Sequence, residues 1–469
     1  MQKTSMRRFG ALLAGLAIVA ASCGDDKTDS SADTTAAAAV DTTVAVVETT
    51  AAAVDTTVAD TTPAAGGNEM AGMKGTTPLV ELSEDFKTRV SATPTGSADG
   101  GLTDFNYAGE TYDAIINIAL AAEVAGTDGS AMADEIVGVT KDGEKCTNYA
   151  DCLALIKAGT DIDYDGISGP ITMNGNGEPL QASYGVLVFG EGNQLDDSLL
   201  TFITAEAPES AVKPLQTTTI PREGDGVLAF GGLLPQTGSL AFLGPPEFAG
   251  AELAIADINE AGGALGKPVT WSPGDSGDTS TDIASQTADR LLGEGVDAII
   301  GAASSSVSLT VIDKITAAGV VQYSPANTSL KLVDYPDNAL YFRNAPPDDL
   351  QGNVIAQLVI DDGNQSAYIL ALDDAYGTSL AGVIEPALTA AGVEVLGAKI
   401  YDPKATSFDA EVDEVVAADP DAIILITFDE GSRILKTMVE KGIGPENKAV
   451  YGCDGNMGNA LGDNFNAGK

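Results

Sequence analysis

Ser304, Ser305 and Ser306 are the residues of this chain whose type and spacing most directly suggest chemistry. They stand between an apolar run ending near Ala302 and an amphipathic stretch from Ser306 to Ala318, so hydroxyls and the free N–H groups of a helix start would face one way. A carboxylate placed there gains from both the donors and the helix dipole. An ordinary N-cap at Ser304 or Ser305 is the alternative. The chain has no histidine, which excludes a Ser-His-Asp triad, a Cys-His pair and any His-ligated zinc. It also lacks a G-x-S-x-G elbow, a P-loop and a G-x-G-x-x-G placed after a strand, so an enzyme is disfavoured and no cofactor is expected. The segment DIDYDG from Asp161 to Gly166 looks like a calcium loop, but Thr172 stands where its closing glutamate is required, and no metal is expected. Among the four cysteines, Cys146 and Cys152 lie close together in an exported chain and are expected to form a disulfide, with two free thiols as the alternative. Cys453 is left single.

Export is indicated by the first residues. Lys3, Arg7 and Arg8 precede an apolar run from Ala11 to Ala21, short of the roughly 20 residues of a bilayer-spanning helix but suited to a signal peptide. The run ends in Ala20-Ala21-Ser22-Cys23, which resembles the lipobox of bacterial lipoproteins. The resemblance implies cleavage before Cys23 and its lipidation, hence a membrane anchor outside the cytoplasm. Ala20 departs from the usual Leu, plain secretion is the alternative, and Arg7-Arg8 hints at twin-arginine export. Residues 23–69 are mostly Ala, Thr, Asp and Val, with AAAVDTTVA occurring at Ala37 to Ala45 and again at Ala51 to Ala59, and read as a disordered acidic stalk. A formal charge of −44 excludes nucleic acid as a partner, because phosphate binding needs a basic surface.

The elements that must position Ser305 follow from the period of the apolar residues. A strand from Gly226, a helix carrying the stripe Phe248, Ala251, Ile255 and Ile258, a strand from Lys267 to Ser272, a helix from Thr281 to Leu292, a strand from Val296 to Ile300, the helix after Ser306 and a strand from Val320 to Tyr323 alternate without interruption. A second series of strands and helices runs from Ser366 to Tyr451. The fold class is therefore α/β with two Rossmann-like lobes, each a parallel sheet between helices, and ligands belong at the strands' carboxyl ends.

The segments LLPQTGSLAFLGPPEFAGAELAIADINEAGGALGKPV from Leu233, GAASSSVS from Gly301, SPANTS from Ser324, DDAYGTSL from Asp373 and YGCDGN from Tyr451 make residues 226–469 resemble the front of the type I periplasmic binding proteins that serve branched-chain amino acid ABC transporters. TYDAIINIALAAE from Thr111 and DIDYDGISGPITMNGNGEPLQASYGVLVF from Asp161 resemble the back of the same family, yet they stand in front. The resemblance implies a circularly permuted Venus-flytrap. On this reading residues 1–22 are the signal peptide, 70–100 a second-lobe segment, 101–160 a first-lobe segment, 161–197 a hinge-proximal closing hairpin, 198–225 a connector, 226–345 the first lobe and 346–469 the second.

The resemblance further implies the site: Ser305 for an α-carboxylate, Ala326 and Thr328 for backbone and hydroxyl contacts to the carboxylate and ammonium, Asp454 for an α-ammonium, and Tyr376, Phe428, Tyr112 and Leu243 completing the walls. Phe428 and Leu243 depart from the Tyr and the aromatic ring common there, which puts the ligand's side-chain class in doubt. The expected function is capture of a small amphoteric solute, an amino acid or derivative, for delivery to an ABC permease; the alternative is a sensor serving a signalling partner.

Overall fold

A computed structural model describes residues 47–49, 67–208 and 211–466. Cys23, the signal peptide and all of the 23–69 stalk except Val47–Thr49 and residues 67–69 lie outside the described residues.

The first lobe is built on a five-stranded, wholly parallel sheet in the order Tyr341–Arg343, Val321–Ser324, Ala298–Gly301, Ala229–Leu233, Thr270–Ser272. Its three central strands are buried on both faces, as a sheet covered on both sides requires. Ala298 and Ile300 pack towards the helices Ala108–Ala125 and Gly244–Glu260, while Ile299 between them faces Ile283–Glu294 and Ser305–Ala317. The two helices on the former face approach closely because of Gly250, where a Cβ would stand 2.2 Å from the carbonyl oxygen of Ala108.

The second lobe carries an eight-stranded sheet in the order Val47–Thr49, Thr201–Glu206, Gln181–Val188, Lys74–Pro78, Ala449–Gly452, Ala422–Ile426, Ser366–Leu372, Glu394–Tyr401. The five strands from Lys74–Pro78 onward are parallel, and the three before them pair antiparallel. Lys74–Pro78 lies directly beside Ala449–Gly452, in the register Tyr451 to Lys74 and Gly452 to Gly75, so early and late parts of the chain share one sheet.

Three boundaries differ from the sequence reading. Residues 70–100 do not all belong to the second lobe: Lys74–Pro78 does, but the helix Glu84–Ser91, capped by Ser83, buries Phe86 and Val90 in the first lobe's core. Residues 198–225 are not all connector, since Thr201–Glu206 pairs with Gln181–Val188 along its whole length; its alternation of inward Ile203 and Ala205 with Phe202 and Thr204 is too weak to read as a strand without that partner. Val47–Thr49 is likewise not structureless stalk but an edge strand beside Thr201–Glu206.

Three short segments cross between the lobes: 79–83 after Lys74–Pro78, 171–180 between Gly169–Pro170 and Gln181–Val188, and 344–347 between Tyr341–Arg343 and the helix Asp348–Asp361. Arg343, fully buried, ties the second crossing to the first lobe by pairing with Glu178 at 2.5 Å while donating to the carbonyls of Asn327 and Ser329. A small sheet of Glu144–Cys146, Ile162–Gly166 and Gly169–Pro170 adjoins the first lobe, and Cys146 is disulfide-bonded to Cys152. In the DIDYDG segment Lys145 pairs with Asp163 and Asp165, and no group of three or more metal-ligating side chains occurs among the described residues.

Candidate functional site

The cleft-facing wall of the first lobe is made by two strand ends. After Ala298–Gly301 the chain turns through Ala302 and Ala303 into Ser304, whose side chain caps the helix Ser305–Ala317 by accepting from Val307 N. After Val321–Ser324 the next turn is pinned to the first: Ser324 Oγ donates to the carbonyl of Ala302 at 2.8 Å, and Asn327 Nδ2 donates to the carbonyls of Ala302 and Ala303 at 2.9 and 2.8 Å. Ser305 Oγ accepts from Ser329 N at 3.3 Å. These internal bonds fix Ser305 and the turn carrying Ala326 within the first lobe, the kind of pre-organised polar wall a binding site needs, while the Thr328 carbonyl also accepts from Asp348 N of the second lobe at 2.8 Å.

The opposite wall belongs to the second lobe. The strand Ala449–Gly452 ends at Cys453-Asp454, and Asn456 holds the turn by accepting from Cys453 N and donating to Leu425 O and Thr427 Oγ1. Asp454 is 5% exposed. Its Oδ1 accepts from Tyr376 OH and its Oδ2 from Tyr107 OH, each at 2.8 Å. Tyr376 is stacked on Phe428, with ring centroids 5.6 Å apart and planes 8° from parallel, and its hydroxyl accepts from Gly455 N. Burial pushes the Asp454 carboxyl above its ordinary value, and the hydroxyls of Tyr376 and Tyr107 only partly offset this.

Between the walls lies a cavity of about 20 Å³, lined by Ser305, Ala326, Thr328 and Leu243 on the first lobe and Tyr376, Phe428 and Asp454 on the second. These expected residues are brought together. Tyr112 is not. Its hydroxyl donates to Asp257 at 2.7 Å and its ring meets Phe86 edge-on, so it belongs to the first lobe's helix packing. The ring that reaches the cavity is Tyr107, five residues earlier and about 140° away round the helix by its 3.6-residue turn. Tyr107 occupies the N-cap of Ala108–Ala125 with φ at 61°, an uncommon conformation for a bulky residue, which aims the phenol across the cleft at Asp454. Leu240, Ala303, Ser304 and Gly455 also line the cavity. Ser304 was flagged as a cap, whereas Tyr107 carries no periodic signal because it precedes the helix.

The lobes touch around the cavity. Ser306 Oγ accepts from Ala375 N at 2.8 Å and donates to Asp374, Ser329 Oγ donates to Ala375 O at 2.7 Å, and Leu330 N donates to Ser379 Oγ at 2.9 Å. The cavity is thus closed by hydrogen bonds that exist only while the lobes are together.

Comparison with known proteins meets this geometry. The family model for periplasmic binding proteins matches residues 228–464. Leu/Ile/Val-binding protein homolog 7 of Brucella abortus (strain 2308) is 26% identical over 254 residues, covering 52% of this chain and 62% of that protein. Leu/Ile/Val-binding protein BraC3 of Rhizobium johnstonii is 27% identical over 199 residues, covering 42% and 53%. A solved structure of the branched-chain amino acid transporter substrate binding protein LivJ from Streptococcus pneumoniae, in complex with isoleucine, is 25% identical, with 51% of this chain and 68% of that one covered and a TM-score of 0.46. The match therefore spans about three fifths or less of the curated relatives' length. With its two α/β lobes and the cavity between them, the chain belongs to the periplasmic binding protein family.

Proposed function

We propose that the protein captures a free amino acid, of the branched-chain type or a relative, between its lobes and hands it to an ABC permease from a lipid anchor at Cys23. The observation that carries the reading is Asp454, a carboxylate buried in the interlobe cavity whose side-chain hydrogen-bond partners are Tyr376, Tyr107 and Gln351, with no basic side chain among them. A ligand ammonium supplies the missing cation, and its carboxylate meets Ser305, the N–H groups at the start of Ser305–Ala317 and Thr328. The relatives' names, Leu/Ile/Val-binding proteins, support the same ligand class. Binding needs no bond chemistry: closure surrounds the ligand with fixed dipoles and excludes water.

Calorimetric titration of the full chain with single amino acids tests this. Saturable binding of at least one, lost in its N-acetyl and its amide derivatives, with the ligand recovered unchanged, is the expected result. Equal binding of the N-acetyl derivative, or no binding by any free amino acid, would overturn the assignment.

The order of the segments is read as a circular permutation. The parallel pairing of Lys74–Pro78 with Ala449–Gly452, and the start of the family match only at residue 228, support it. In that arrangement the stalk enters at the second lobe, and the residues leading from Thr201–Glu206 to Ala229–Leu233 form a connector that the family order lacks. Joining the late end to residue 70 and opening the chain near residue 226 is expected to give a protein with the same ligand affinity. Partition of the exported protein into detergent, abolished by Cys23→Ser, is the expected sign of the anchor.

A further inference from the structure

At the hinge the lobes enclose a second cavity, of about 180 Å³, separate from the cleft. All three crossings contribute walls: Pro78 and Val80 from the first, Pro170 with Ile171 and then Gln181 from the two ends of the second, Asn344 and Pro346 from the third. Glu110, in the first turn of Ala108–Ala125, lines it at 7% exposure. Among the described residues no hydrogen bond from another residue reaches the Glu110 carboxyl, which has only its own backbone N–H. Asn344 Oδ1 in the lining is also without a donor although the Asn344 amide donates to the carbonyl of Glu110 at 2.7 Å, and outside the lining the wholly buried Glu247, close enough to feel the charge of Glu110, has neither oxygen partnered.

Orphaned buried acceptors are costly, and a helix-start acid ordinarily faces water. The lining includes a second carboxylate, Glu206, and no lysine or arginine, so the charge the cavity lacks is positive. It has room for far more than one water, which needs about 10–15 Å³. A bare divalent ion would want several oxygen ligands that the described residues do not group together. The remaining walls are largely apolar, with Val80, Ile171 and Ala182 among them.

We propose that this hinge cavity is a second binding site, for a small alkylammonium compound whose ammonium rests on Glu110 and whose hydrocarbon chain lies against Val80 and Ile171. Because its walls come from all three crossings, a change of lobe angle reshapes it, and an occupant that fits one angle better biases closure by its differential affinity. The site stands independently of the amino-acid reading of the cleft.

The test titrates n-butylammonium chloride into the full chain, with n-butanol and sodium chloride as controls. Saturable binding of n-butylammonium alone is expected, weakened at least tenfold both by Glu110→Gln, which keeps the shape, and by Ala182→Leu, which keeps the carboxyl and fills the space. Binding must survive in Asp454→Asn, which disables the cleft. No saturable binding, equal binding by both hinge variants, or loss in Asp454→Asn would each refute the site. A radius of gyration in solution that does not change on saturation would refute the link to closure.

Discussion

The two walls of the cleft differ in how they are held. On the first lobe, Ser305, Ala326 and Thr328 sit on turns braced by Ser324 and Asn327 of the same lobe, and the polar groups there are neutral. On the second, the charged residue is Asp454, and one of its two tyrosine partners, Tyr107, comes from the opposite lobe. A wall braced mainly from within its own lobe can grip a carboxylate while the cleft is open. A wall that borrows a partner across the gap is finished only on closure, so the ammonium contact is the one that couples recognition to conformation.

The largest expected effect comes from removing the charge on the borrowed side. Asp454→Ala should weaken an amino-acid ligand by about 2–4 kcal/mol, the loss of a partly buried charge pair. The pH dependence has a definite sign. The free-state carboxyl is raised by burial, whereas a bound ammonium favours its ionised form, so affinity falls as pH drops through that raised value. Titrations across the acid range should show the fall in the native chain and a flat profile in Asp454→Asn. An affinity that rises on acidification would contradict an ammonium at Asp454.

Next in size is Tyr107→Phe, which removes a hydrogen bond to a carboxylate and should cost about 1.5–3 kcal/mol of ligand affinity. Its control is Tyr112→Phe. That change removes a bond to Asp257 inside the first lobe, and should lower thermal stability while leaving affinity unchanged. Equal affinity losses in the two variants would erase the distinction between a cross-cleft tyrosine and a packing one.

The exchange of Tyr112 for Tyr107 shows where the sequence stops being legible. Ser305 could be placed between a strand end and a helix start by the period of the chain, while Thr328 and Asp454 were placed by the resemblance of their segments to the family. Tyr107 lies just outside a helix in a left-handed conformation that no pattern announces. Glu110 and Glu247 carry no signal in the sequence, since their burial arises only when Ala108–Ala125 meets Gly244–Glu260, a contact between segments far apart in the chain. The lobes themselves were readable from alternating strands and helices. Thr201–Glu206 and Val47–Thr49, the two strands at one end of the sheet, were not, because such strands draw their stability from a neighbour more than from their own sequence pattern.

On the braced wall, Ser305→Ala should cost about 1 kcal/mol, less than either change at Asp454 or Tyr107, because the helix-start N–H groups remain to meet the carboxylate. Isothermal titration of the variant with the amino acid and with its amide separates the two walls: the mutation should narrow the gap between the two ligands, and an unchanged gap would place the carboxylate elsewhere.

The smallest effect is expected from a residue that touches no ligand. Ser306 joins the lobes by accepting from Ala375 N and donating to Asp374, which itself caps the helix Ala375–Ala390 through Gly377 N. Ser306→Ala removes both interlobe bonds and leaves the cap intact, so the closed form alone loses about 0.5–1.5 kcal/mol per bond at most, some of it returned by water. If closure follows binding, the loss should appear as faster ligand release with the association rate unchanged. Stopped-flow measurement of both rates decides it. A slower association instead would mean that the first lobe's wall does not receive the ligand before the second arrives, and the asymmetry between the walls would then be one of chemistry without being one of order.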